Sequence, residues 1–521
     1  MHAVVIGAGI AGLTAAYELG RAPGVEVTVL EGATRIGGKL RVSQVGGLPV
    51  DEGAEMFLVR VPEAVDLVAE LGLSGGVVHP VTTSAGVYVD GAPRPLPAGT
   101  LMGVPARPAS VRAVLGEAGV RSATDEPGIP GDPLAEDVAV GAYVARRLGR
   151  PFVDRLVDPL LGGVYAGRAE LLSLQATVPT LYAELRRTPS LVEAAARATS
   201  QPPPSMTGGP GADTQAVTPE PANPQPPGTQ TTAGTRAGTG MAGNGDTGSG
   251  PGGAGNGDTE ALGSPPGNPV FGTLPGGLGT LPGAVLAASG ATLRLGLPAR
   301  EIHRTPTGFR IVAGPVPTPT ELTADAVVVA VPATKAAPLL RAAAPAASAE
   351  LAGIEYASMA VLTLVLARAD LPAGSGMLVP ATEGFAVKAL TYSSAKWAHL
   401  AGGPHVVVRA SVGRYGEPEA LQRSDEDLVD AVRADLATLT GMTDAALVEA
   451  RVTRWGGGLP QYAVGHVDRV RRIRAAVAAV PGLAVCGAAY EGVGVPACIR
   501  SGRSAAAQVL AGTARAAQSK V

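Results

Sequence analysis

Three glycines, Gly7, Gly9 and Gly12, stand between an apolar run ending at Gly7 and an alanine-rich stretch, and a carboxylate, Glu31, follows a second apolar run. This pattern can hold a dinucleotide. Gly7 lets the chain turn tightly. Gly9 lets backbone approach a pyrophosphate. Gly12 lets a helix pack close to the strand, with its N-terminus facing the phosphates. The chemistry needs a strand before the turn and a helix after it. Val4 to Gly7 reads as that strand, and residues from Ile10 onward read as that helix. Val25 to Leu30 reads as the next strand, ending at Glu31. A carboxylate there accepts hydrogen bonds from a ribose and repels a 2′-phosphate.

The rest of the composition narrows the class. The chain has 521 residues, more than one core organises, so two or three domains are expected. Hydrophobic residues make up 46% but aromatics only 3%, so Ala, Val and Leu must do most of the packing. Net charge is −3, and no basic run with interleaved aromatics suggests nucleic acid. Mean hydropathy is positive, +0.22. Yet no stretch of 18 or more uninterrupted apolar residues offers a transmembrane segment. Residues 1–20 lack the basic flank of a signal peptide. Two cysteines, Cys486 and Cys498, form neither a metal spacing nor a disulfide framework, so no metal is expected. A reducing, cytoplasmic setting is the simpler reading, with peripheral association with a membrane left open.

One segment stands apart. Residues 201–268 are dense in Pro, Gly, Thr, Asn and Ser and contain no aromatic residue. Such a stretch cannot bury enough apolar surface to offset its ordering entropy, and it reads as a disordered insert. Before it, the apolar spacing from Arg146 to Leu161 predicts a helix, and residues 136–200 are helical in pattern. After it, Ala324 to Pro332 reads as a buried strand and a turn. Residues 355–368 and 404–412 read as strands, and Asp425 to Leu439 as an amphipathic helix. Leu483 to Cys486 predicts a last strand, and Ile499 to Leu510 a last helix. The expected fold class is α/β: a discontinuous Rossmann-type dinucleotide-binding domain, a mixed-sheet substrate domain and a helical subdomain. The expected boundaries are 1–78 with 269–338 and 480–515 for the first, 79–100 with 339–479 for the second, and 101–200 for the third.

Several segments carry a family resemblance. Arg35-Ile36-Gly37-Gly38-Lys39 resembles the glycine doublet that follows the βαβ unit in FAD-containing amine oxidases. Val50-Asp51-Glu52-Gly53-Ala54-Glu55-Met56-Phe57-Leu58 resembles a flavin-lining segment, and Leu161-Gly162-Gly163-Val164-Tyr165-Ala166-Gly167 with Leu172-Ser173-Leu174 resembles a helical one. Arg454-Trp455, with Pro460-Gln461-Tyr462-Ala463-Val464-Gly465-His466, and Glu491-Gly492-Val493-Gly494-Val495-Pro496 complete the set. Together these resemble the protoporphyrinogen and coproporphyrinogen oxidases, FAD enzymes of late haem synthesis.

The resemblance implies FAD contacts at Gly7, Ala8, Gly9, Ile10, Ala11, Gly12, Glu31, Gly32 and Lys39, with Gly53, Ala54, Glu55 and Met56 near the flavin. It adds Ile302 at the adenine, and Trp455, Val493, Gly494 and Val495. Trp455 taken alone would read as a core aromatic, and Lys39 as a solvated charge at a helix end. His466 reads as a structural histidine. Cys486 sits at a strand end, which favours non-covalent FAD over a thioether. Eukaryotic relatives carry a basic residue before a Tyr-Val pair to hold a propionate. The stretch Thr83-Ser84-Ala85-Gly86-Val87-Tyr88-Val89 has no charge, so Arg60, Arg168 and Lys388 are the candidates for substrate carboxylates.

The implied reaction is oxygen-consuming oxidation of coproporphyrinogen III to coproporphyrin III, with hydrogen peroxide released. The implied partners are the porphyrinogen, oxygen and, transiently, a ferrochelatase. The flavin accepts the hydride, so no catalytic acid or base is assigned. Protoporphyrinogen IX oxidase, flavin amine oxidase, carotenoid desaturase and a non-catalytic porphyrin-handling flavoprotein are the alternatives.

Overall fold

Short, mostly apolar runs rich in β-branched residues predict strands buried on both faces, among them AVVI, VTVL, AVVV and LAV. In the computed structural model, which describes residues 1–200 and 269–518, these runs assemble one parallel sheet. The segment 201–268, expected as a disordered insert, lies outside the described residues. The strand order is Thr292–Arg294, Glu26–Leu30, His2–Ile6, Ala326–Val329, Leu483–Val485. Val4 is opposite Thr28 on one side and Val327 on the other. Three of the five strands thus come from the chain beyond residue 290.

Alternation along each strand divides two cores. Ala3, Val5, Val27, Val29 and Val328 point to the helices Ile10–Gly20, Leu281–Ser289 and Val495–Gln518. Val4, Ile6, Val327 and Val329 point to the other face. There they meet the antiparallel sheet of Ala299–Thr305, Gly308–Ala313 and Thr320–Ala324. The helices Ala333–Leu340, Pro345–Ala352 and His466–Ala478 share this core. The last two fall inside the 339–479 range expected for the substrate region, yet their apolar faces pack under the parallel sheet.

A seven-stranded sheet supplies the second wall. Its order is Leu447–Pro460, Tyr356–Ala367, His405–Val412, Val387–Tyr392, Gly376–Leu378, Ala85–Val89, Ala92–Pro95. It is mixed, because Gly376–Leu378 runs parallel to Ala85–Val89 while the other pairs are antiparallel. One face, with Leu362, Leu364, Val408 and Ala410, is covered by the helix Asp425–Thr440. That helix is capped by Ser424, whose hydroxyl accepts from the Asp427 amide at 3.0 Å. The opposite face carries Val361, Thr363, Val407 and Arg409 and turns toward the residues discussed below.

Residues 112–200 form a helical layer with its own core, including Leu148, Phe152, Leu156, Leu161 and Tyr182. The continuous helix predicted from Arg146 to Leu161 is broken. Gly149 adopts φ +98, Pro151 follows it, and the next helical turns include a π segment at Val153–Val157. The final helix starts at Val495, earlier than predicted, because Pro496 sits in its first turn, where a missing N–H costs nothing. Among the described residues no helix is long and apolar enough to cross a membrane.

Candidate active site

The first turn is built as a cradle of backbone. Gly7 has φ +109, and a side chain there would meet the Ala330 carbonyl oxygen at 2.7 Å. A Cβ on Gly12 would lie 2.0 Å from the Gly7 carbonyl oxygen. A Cβ on Gly9, by contrast, would meet nothing within 4 Å. The space above Gly9 is therefore open. The amides of Ile10, Ala11 and Gly12 open the helix beside it, before its i to i−4 ladder begins. The glycine doublet closes one side: the Gly37 amide donates to the Ala8 carbonyl at 2.8 Å, and Gly38 abuts Gly9. At the end of the second strand Glu31 accepts from the amides of Ala8 and Ala33, each at 2.8 Å. Gly32 packs against Pro298, and Ile302 is buried on the adjoining antiparallel sheet. An open, glycine-floored groove with free helix-start amides and an acidic rim fits a dinucleotide.

The rim continues into residues distant in sequence. A Cβ on Gly53 would fall 2.0 Å from the Lys39 carbonyl oxygen and 3.4 Å from the Trp455 ring. Lys39, Gly53 and Trp455 therefore meet at one place. The Trp455 indole is fixed by donating to the Glu52 carbonyl at 2.9 Å. The Glu52 side chain, 1% exposed, accepts from Thr453 at 2.8 Å and pairs with Arg41 at 3.0 Å, while its Oε1 has no partner. Burial lowers the pKa of Lys39.

Glu55 lies in a charge cluster that sequence reasoning missed. Its carboxylate is 2.5 Å from both Lys396 Nζ and Arg409 Nη1. Arg409 also donates to the Gly53 carbonyl at 2.6 Å, and Lys396 lies 3.1 Å from Met56 Sδ. Burial alone would raise the Glu55 pKa. Arg409 and Lys396 outweigh it and hold the carboxyl at about 2. Nearby Asp51 is pushed up to about 6 by burial, against the pull of Arg409 and of the Leu278 and Gly279 amides. The available signal was the strand HVVVRASV, where alternation puts Arg409 on the face opposite the helix-covered core.

The third part is the turn before the last helix. Tyr462 is buried, and its hydroxyl donates to the Ala488 carbonyl at 2.5 Å and accepts from the Gly492 amide at 2.9 Å. This ties down the turn that carries Val493, Gly494 and Val495. The Tyr462 ring stacks on His466 at 4.0 Å and tilts against Tyr165 at 5.5 Å. Burial, aided by Arg469, lowers the His466 imidazole to about 4, so it is neutral near pH 7. Cys486 is fully buried and its thiol pKa is pushed up by that burial.

The three candidates for substrate carboxylates fall in different environments. Arg60 and Arg168 are exposed, and neither makes an ion pair among the described residues. Lys388 is buried beside the helix Asp158–Tyr165.

Comparison with known proteins gives four findings. Residues 10–510 match the family model described as flavin containing amine oxidoreductase. The chain is 34% identical over 514 residues to a coproporphyrinogen III oxidase of Mycobacterium tuberculosis, covering 97% of this chain and 96% of that protein. It is 28% identical over 522 residues to a coproporphyrinogen III oxidase of Bacillus subtilis, covering 98% of each. A crystal structure of an Exiguobacterium protein superposes with a TM-score of 0.75 at 28% identity, covering 98% of each chain.

Proposed function

The chain belongs to the flavin containing amine oxidoreductases, and from that premise we propose that it oxidises coproporphyrinogen III to coproporphyrin III in haem biosynthesis, using non-covalent FAD and oxygen. The observation that carries the reading is the open space at Gly9, walled by Gly38, together with the meeting of Lys39, Gly53 and Trp455 one residue further on. Full-length similarity to two coproporphyrinogen III oxidases supplies the substrate.

In this reading FAD supplies the ring that accepts hydride from a methylene bridge of the porphyrinogen. The residues do the rest. Gly7, Ala8, Gly9, Ile10, Ala11 and Gly12 receive the pyrophosphate. Glu31 and Gly32 receive the ribose, Ile302 lies at the adenine, and Lys39 adds charge by the phosphates. Gly53, Ala54, Glu55 and Met56 form a wall whose position is set by Arg409 and Lys396. Val493, Gly494 and Val495 present amides at the start of the last helix, where its dipole favours negative charge. Residues 1–78, 269–338 and 480–515 form the FAD-binding region, and 101–200 a helical one. The product passes by transient contact to a ferrochelatase, and the enzyme works in the cytoplasm.

The test is direct. Purified protein is mixed anaerobically with coproporphyrinogen III or protoporphyrinogen IX, and porphyrin fluorescence is followed as air enters. We expect fluorescence and peroxide from the first, and intact FAD in the supernatant after acid precipitation. No fluorescence from either substrate would refute the oxidase reading, and flavin retained in the pellet would refute non-covalent binding.

A further inference from the structure

Lys388 is the buried cation whose place in the fold is least explained by structure alone. It sits in the strand Val387–Tyr392 at a break in register: Val387 is opposite Val412, but Ala389 is opposite Ser411. The bulge turns Lys388 toward the helix Asp158–Tyr165. The residue is 6% exposed. Among the described residues its ammonium has one hydrogen-bond contact, the Gly162 carbonyl oxygen, at a long 3.5 Å. Among the described residues no carboxylate comes within ion-pair distance. An ammonium so placed pays desolvation without a counter-charge, an arrangement that proteins seldom keep without a use.

The surrounding charges do not relieve it. Arg414, from the loop after His405–Val412, is a second cation and repels it. Arg414 itself donates to the Phe385 and Val379 carbonyls at 3.3 and 3.2 Å, and Glu417, Asp158 and Asp435 are its charged neighbours. Asp158, on the facing helix, accepts from the Ala169 amide at 2.8 Å, and Asp435, from the helix Asp425–Thr440, accepts from the Val387 amide at 3.0 Å. Arg409 and Lys396, from the neighbouring strand and helix, are committed to Glu55. About one turn along from Gly162, Tyr165 contacts Tyr462, whose hydroxyl holds the Ala488–Gly492 turn.

We propose that the Lys388 ammonium, with Arg414 beside it, receives one propionate carboxylate of the porphyrinogen. This rests on the porphyrinogen reading given above and names where the anionic arm of that substrate lands. It also distinguishes Lys388 from exposed Arg60 and Arg168, because a desolvated cation binds a carboxylate far more strongly than a solvated one.

The charge bookkeeping yields a pH signature. In the empty site burial, and then Arg414, lower the Lys388 pKa to about 7. A bound carboxylate favours the ammonium and raises that pKa. Binding above about pH 7 must therefore take up a proton, and affinity falls as pH rises.

The experiment uses FAD-loaded wild type, Lys388→Met and Lys388→Arg. KM is measured for coproporphyrinogen III and for its uncharged tetramethyl ester across the neutral to alkaline range. Binding of the product coproporphyrin III is followed in parallel by fluorescence anisotropy. Lys388→Met is expected to raise KM for the acid roughly tenfold to a hundredfold. It should leave the ester's KM and the FAD content unchanged and flatten the pH dependence. Lys388→Arg should keep a low KM at alkaline pH, since its charge does not titrate there. An unchanged KM for the acid in Lys388→Met, or an equal rise for acid and ester, would overturn this proposal alone. A wild-type enzyme that oxidises neither compound would overturn the porphyrinogen reading and this proposal with it.

Discussion

Glu55 carries a charge into a largely buried place, with 12% of its side chain exposed, and two cations keep it ionised there. Replacing it with Gln would leave Lys396 and Arg409 facing each other without a counter-ion. We expect Glu55→Gln to lower stability by about 3–5 kcal/mol, measured by urea unfolding near pH 7, and the added change Lys396→Met to recover part of that loss. A single variant as stable as wild type would show that the cations find other partners. The pH sign follows from the shifts. Glu55 is held at about 2, below its ordinary 4.5, so its contribution is present above about 4.5 and is lost as pH falls toward 2. Asp51 runs the other way. Its pKa is raised to about 6, so its contribution is present below its ordinary 3.8 and is lost as pH rises through about 6. At this scale the sequence was legible where spacing is local. Gly7, Gly9, Gly12 and Glu31 could be read directly, because one strand-turn-helix unit encodes all four. Lys396 and Arg409 could not, because they reach Glu55 from 341 and 354 residues away and only the folded sheet brings them together.

At the scale of elements, the site depends on how closely the first and last helices cross. A Cβ on Gly502 would lie 2.3 Å from the Ala11 carbonyl oxygen, and on the first helix's other contact, with Leu281–Ser289, one on Gly20 would lie 2.1 Å from the Ser289 carbonyl oxygen. Backbone atoms cannot step aside as side chains do. Gly502→Ala must push the last helix away from the first, and the start of that helix at Val495 moves with it. We expect an overpacking loss of about 1–3 kcal/mol and a clear fall in FAD affinity, read by thermal unfolding and by flavin titration of the apoprotein. Unaltered FAD affinity would show that the Val493 to Val495 turn is held by Tyr462 alone. Strands such as Ala326–Val329 and Leu483–Val485 were legible because an uninterrupted apolar run of that length has few other uses. The destination of the helices Pro345–Ala352 and His466–Ala478 was not. An apolar helix face announces that it will be buried, not which sheet will bury it. The break at Gly149 was equally hidden, since Leu148, Phe152 and Leu156 keep helical spacing through a kink.

For the whole molecule, two features of the chain set how it should behave in solution. The first is the segment 201–268, whose composition offers no aromatic residue for a core. Deleting Pro202 to Pro266 and joining the ends with a short Gly/Ser link should leave FAD content and turnover nearly unchanged, because closure entropy varies only slowly with loop length. A folded deletion variant with little activity would make the segment functional. The second is the charge of the substrate. Coproporphyrinogen III carries four carboxylates and protoporphyrinogen IX two, while the protein as a whole is nearly neutral, at −3. Attraction must then come from local cations and not from a general field. Each additional propionate paired with a desolvated cation contributes about 1–3 kcal/mol in good geometry, so kcat/KM should favour coproporphyrinogen III. Exposed Arg60 and Arg168 could only add a screened, longer-range pull. Raising the salt concentration should therefore raise KM more for the tetracarboxylate than for the dicarboxylate. Stopped assays of both substrates at low and high ionic strength measure this. A preference for protoporphyrinogen IX at every salt concentration would reverse the substrate assignment and leave the flavin site as described.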